Sequence, residues 1–126
     1  LIIQQIKELP QLVKGILYFY PMKSTGIYNS IRNTVQAYLP GARVVLFGSR
    51  ARGEGDRYSD YDLLIITPET FTLQEKIDWS SRLDRAIVNA IHAPVDILLN
   101  SEEEIREKQE LPGHIIRSVI REGVDL

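Results

Sequence analysis

The chain has 126 residues, 44% hydrophobic and 25% charged, with no cysteine and a formal net charge of −2. One domain of this size can bury a real core, so global disorder is excluded, and the acidic balance argues against broad electrostatic binding of nucleic acid. The missing cysteine removes disulfides, thiolate catalysis and sulfur-bound zinc, and no apolar stretch reaches the roughly 20 residues that span a bilayer; we read the chain as cytoplasmic, with no membrane partner.

Residues 1–21 hold two apolar stretches, Ile2 to Leu9 and Leu12 to Tyr20, interrupted by Pro10 and stopped by Pro21. Met22 is the single methionine. Two readings stand: residues 1–21 are an extension ahead of a natural start at Met22, or a native segment covering apolar surface. Either way the main domain is residues 22–126. From Ser24 the pattern clears. Ser24 or Thr25 can cap a helix whose apolar positions are Ile27, Ile31, Val35 and Tyr38, and Pro40-Gly41 ends it. Arg43 to Phe47 predicts a first strand and Asp60 to Thr67 a second. Thr72 opens a long helix with a stripe of Leu83, Ala86, Ile87, Ala90 and Ile91, which His92-Ala93-Pro94 breaks. Val95 to Leu99 predicts a third strand. Ser101 then caps an acidic first turn, Glu102-Glu103-Glu104, and a last helix runs from His114 to Arg121 with Gly123 beyond it. The order is that of an α/β (α+β) domain, a small mixed sheet flanked by helices.

The chemistry concentrates between Leu46 and Ile66, LFGSRARGEGDRYSDYDLLII. Glycine after a strand permits close approach and positive φ, and the N–H groups that follow can cradle a phosphate, so Gly48 and Ser49 are candidate anion ligands. Asp60 and Asp62 stand two apart on a strand, facing the same side, roughly 6 to 7 Å apart along the backbone. Paired carboxylates repel unless a cation lies between them, which is the layout of a magnesium site. Arg50 and Arg52 suit charge neutralisation of a triphosphate, or equally an ion pair with Glu54 or Asp56. Ser59 suits a nucleotide contact or the satisfaction of its own turn. Tyr61, between the aspartates, faces the other side and reads as core. His92 and His114 have no partner at ligand spacing.

Gly48-Ser49-Arg50-Ala51-Arg52-Gly53, followed by Ser59-Asp60-Tyr61-Asp62-Leu63, resembles the pattern of the DNA polymerase β-like nucleotidyltransferase superfamily, and within it the minimal nucleotidyltransferases (MNT). The resemblance covers about Val44 to Asp96 and the helix before it. It implies the nucleotidyltransferase fold and a third carboxylate on a later strand, a place Asp96 fills in Pro94-Val95-Asp96-Ile97-Leu98. It also implies two Mg²⁺ ions held by Asp60, Asp62 and Asp96, ATP as substrate, and Gly48 and Ser49 on its β- and γ-phosphates. The acceptor it implies is a tyrosine of a HEPN-domain toxin, with this chain as the antitoxin. Two other readings remain open: a subunit that modifies small molecules in the aminoglycoside manner, and a non-catalytic binding module. Homo-oligomers fit any of these.

Overall fold

A computed structural model describes residues 26–126. The Met22 start and the Ser24/Thr25 cap lie outside the described residues. Helix α1 covers residues 26–38. It is followed by β1 (Arg43–Phe47), a one-turn helix α2 (Gly48–Ala51), β2 (Tyr61–Thr67), α3 (Leu73–Ile91), β3 (Val95–Ser101), α4 (Glu102–Gln109), α5 (Ile115–Glu122) and a two-residue strand β4 (Val124–Asp125). The sheet has the order β3-β2-β1-β4. β1 is antiparallel to both β2 and β4, and β2 is parallel to β3.

β2 is buried along nearly its whole length because helices cover both faces of the sheet. On one face Val44, Leu46, Leu63, Ile65 and Leu99 pack with Ile31 and Val35 of α1 and with Leu83 and Ile87 of α3. On the other, Val45, Leu64 and Ile66 pack with Ile105 of α4 and with Ile116 and Val119 of α5. Two predicted core positions are solvent-facing instead. Tyr38 is exposed, and Leu39, just past the helical residues, takes the buried place. Ala90 is exposed near the end of α3. In each case the next residue, Leu39 or Ile91, does pack on the core.

The connections follow predicted chemistry. Thr72 and Glu75 form a reciprocal capping box at the start of α3, and Ser101 and Glu104 form another at the start of α4. His92 closes α3 in the left-handed conformation, and the Nδ1 of His114 accepts the N–H of Ile116 at the start of α5. Both histidines are therefore structural. Ser101 is almost fully buried, and its hydroxyl also accepts a hydrogen bond from Thr70 at 2.8 Å. Ser101→Ala is expected to cost about 1–2 kcal/mol, and exposed Thr72→Ala about half of that, in denaturant unfolding. Equal losses would show that burial adds nothing to the cap. Nearby, Lys76 of α3 pairs with Glu104. Burial works against the ionised Glu104, but Lys76 and the Ser101 N–H outweigh it and hold the carboxyl below its usual range.

Candidate active site

The site forms where β1 ends and β2 and β3 begin. Gly48 turns the chain from β1 into α2 at φ +74°. A methyl group there would lie 2.1 Å from Oδ2 of Asp62. Glycine is needed for its left-handed backbone and again for the approach of the carboxylate. Antiparallel pairing sets Phe47 opposite Asp62, and parallel pairing sets Asp62 beside Asp96. Strand alternation then puts Asp62 with Leu64 and Ile66, and Asp96 with Leu98, on the face that α4 and α5 cover. Two carboxylates thus share one face on strands about 4.8 Å apart. Asp60 is exposed and lies one residue before β2, which begins at Tyr61 and not at Asp60 as predicted.

Burial raises the pKa of Asp62, the charges of Asp96 and then Asp60 raise it further, and Arg52 partly opposes them. A raised carboxyl pKa means the folded state binds the proton more tightly than the unfolded chain. The fold therefore loses stability as pH climbs from the unfolded value near 3.8 through the raised folded value, and the penalty persists above it. Asp62→Asn is expected to raise the stability of the nucleotide-free protein by about 0.5–2 kcal/mol at neutral pH, as relief of strain at a site commonly does. The gain should vanish once both states are protonated at low pH. Unfolding at pH 7 and pH 3 measures this, and an equal gain at both would rule out a charge effect.

Among the described residues, no three His, Asp or Glu side chains are gathered closely enough to share a metal ion. The convergence predicted for Asp60, Asp62 and Asp96 is thus not preassembled. Asp60 lies one residue outside β2, the strand that would orient it beside Asp62. The donor chemistry still fits magnesium: carboxylate oxygens, mutual repulsion at Asp62, and one nearby cation, Arg52, whose Nε pairs with Glu54 Oε2 at 3.1 Å.

Ser49 follows Gly48 in α2, in a first turn whose N–H groups have no partner one turn back. Arg52 sits near enough to Asp62 to lower its pKa. Arg50 and Ser59 are engaged elsewhere. The Oγ of Ser59 accepts the N–H of Asp56 at 3.0 Å, which satisfies the turn. The Nε of Arg50 donates to the Ser59 carbonyl at 2.9 Å, and its guanidinium lies 3.9 Å over the ring of Tyr61. Tyr61 is buried on the face opposite Asp62, as predicted, and burial raises its phenol pKa against the opposing charge of Arg50. A cavity of about 780 Å³ opens on this side, lined by Tyr28, Arg50, Arg57, Tyr61 and His92 among others, and the three aspartates are not part of it. Sequence reasoning had no signal for the cavity, because its lining comes from four separate segments. No helix among the described residues is long and apolar enough to cross a membrane.

Comparison with known proteins bears on the family and the fold. A Methanocaldococcus jannaschii protein named "Putative protein adenylyltransferase" is 59% identical over 34 residues, a stretch that is 27% of this chain and 34% of that protein. A solved "putative minimal nucleotidyltransferase" superposes with a TM-score of 0.58 at 26% identity, over 83% of this chain and 94% of the other. A chain from a crystallised toxin–antitoxin with AMP-PNP shares the fold with a TM-score of 0.57 at 20% identity, over 78% of this chain and 70% of that one. The sequence model of the nucleotidyltransferase domain matches residues 28–125. Its match runs from α1 through β4 and takes in the glycine turn and all three aspartates, and the chain belongs to the nucleotidyltransferase domain family.

Proposed function

We propose that this chain moves AMP from ATP onto a protein hydroxyl, a tyrosine of a HEPN-domain toxin partner, and acts as its antitoxin. The observation that carries the reading is the register that sets Asp62 beside Asp96, with Gly48 closed against the same carboxylate. The short stretch shared with the protein named as an adenylyltransferase supports the reaction type. The toxin–antitoxin of similar fold supports the setting and, through its AMP-PNP, the nucleotide. Residues 22–126 form the transferase domain in this reading.

In the reaction the acceptor oxygen attacks the α-phosphorus of ATP. The bond from that phosphorus to the bridging oxygen breaks, and pyrophosphate leaves with the electron pair. The acceptor proton passes to the carboxylate of Asp96, which stands on the open edge strand. Gly48 and Ser49 offer backbone N–H groups to the β- and γ-phosphates, and Arg52 adds positive charge beside them. Asp62 and Asp96, joined by Asp60, are the residues that would hold Mg²⁺. When bound, the metal would neutralise the triphosphate and make the acceptor hydroxyl more acidic.

Mass spectrometry of the toxin co-expressed with this chain tests the proposal, with one added AMP, less water, on a tyrosine as the expected result. A toxin neutralised without any adduct would replace the enzyme with a binding module. Adducts confined to small hydroxylated molecules would favour the small-molecule transferase.

A further inference from the structure

Arg50 has the residue type and position of a phosphate ligand, yet its contacts lie on the face of β2 opposite Asp62. We propose that Arg50 is a positioning residue, which clamps the turn of residues 53–60 onto Tyr61 and thereby sets where Asp60 stands relative to Asp62. The inference rests on the proposal that these aspartates form the site.

Three contacts carry it. The Arg50 guanidinium lies 3.9 Å over the ring of Tyr61, the first residue of β2. The same group donates from Nε to the Ser59 carbonyl, one residue before Asp60. The turn also folds back over the stem of Arg50: a methyl group on Gly55 would lie 2.6 Å from Arg50 Cγ and 3.2 Å from its Cα. The turn thus meets the Arg50 stem near its start, where backbone bonds from Gly53 to Arg50 and from Glu54 to Ser49 also hold it, and the Arg50 guanidinium near its end. The rest of the turn is exposed and bonded mainly to itself, through Asp56, Tyr58 and Ser59. Among the described side-chain hydrogen bonds, only those of Arg50 and Arg52 reach residues 53–60 from outside, and Arg52 ends on exposed Glu54. Lysine could not replace Arg50, because a flat guanidinium stacks on a ring while its edge donates a hydrogen bond, and an ammonium has no such plane.

Amide hydrogen exchange of the full chain, without nucleotide, tests the clamp directly. Exchange over residues 53–60 is expected to rise about tenfold in Arg50→Ala and in Arg50→Lys, and to stay near wild type in Tyr61→Phe, which keeps the ring. Gly55→Ala, which pushes on the Arg50 stem, should loosen the same segment. In transfer assays Arg50→Ala should lower kcat about 100-fold, the scale of a misplaced catalytic group, while KM for ATP stays nearly unchanged. Unchanged exchange in Arg50→Ala would overturn the clamp. So would a raised KM with normal kcat, the mark of a phosphate ligand. If the wild-type chain transfers nothing, the proposed function falls and the exchange measurement still decides the clamp.

Discussion

Asp96→Asn is expected to lose AMP transfer by about 10²–10⁴-fold, the range attributed to general base catalysis, and to keep its nucleotide-induced stabilisation. The argument is one of placement. Asp96 is exposed on β3, and asparagine has the same size, so the substitution leaves the fold intact. Asp62 stays where β1 and Gly48 hold it, and the glycine-serine turn is untouched. Transfer alone should fail, because the amide cannot take the acceptor proton. Asp60→Asn/Asp62→Asn should lose both transfer and the thermal shift with Mg²⁺ and ATP. Single-turnover kinetics and thermal melts separate the outcomes. Full transfer by Asp96→Asn would remove Asp96 from the chemistry, and a thermal shift surviving in the double variant would move the nucleotide site elsewhere.

The second large effect is on the fold and the site together. Gly48→Ala places a Cβ 2.1 Å from Asp62 Oδ2, at a backbone angle of φ +74°. Gly53 has nearly the same angle, φ +73°, but a Cβ there meets nothing within 4 Å. Gly53→Ala therefore measures the backbone cost alone, about 1 kcal/mol. Gly48→Ala is expected to cost about 2–4 kcal/mol, adding the displacement of the Asp62 carboxylate that lies against Gly48. For a domain of this size each kcal/mol lowers Tm by roughly 4–8 °C. Gly48→Ala should also lose the nucleotide-induced shift, and Gly53→Ala should keep it. Equal destabilisation in the two variants would mean that the Asp62 contact carries no energy.

Much of the fold was legible because the local signals agreed with one another. β1 has its predicted bounds, Thr72 and Ser101 open the helices they were read as opening, and Tyr61 is buried as alternation required. The misses share a cause. β4 is two residues long and exists through pairing with Val45 and Leu46, some 80 residues earlier in the chain, so no local pattern announces it. β3 continues past Leu99 through polar Asn100 and Ser101 because β2 runs beside them as far as Thr67. Gly123 does close α5, as read, but with an ordinary φ rather than a left-handed one. It is glycine because a Cβ would meet Val45 Cγ1 at 2.3 Å and the Val119 carbonyl at 2.5 Å.

The amino-acid order alone determined the residue types of the site and the elements that carry them, since turn, cap and strand preferences act over a few neighbouring residues. A glycine-serine turn after one strand, aspartates at the mouth of the next, and a third aspartate near the start of another were all readable at that range. Tertiary structure decided which of these residues meet. Pairing between β2 and β3 chose Asp96 as the neighbour of Asp62, and pairing between β1 and β2 pressed Gly48 against it. Arg50 was turned to the opposite face by the ring of Tyr61. Register and the face to which a side chain turns are set by burial across strands far apart in sequence, and a local pattern holds no information about that.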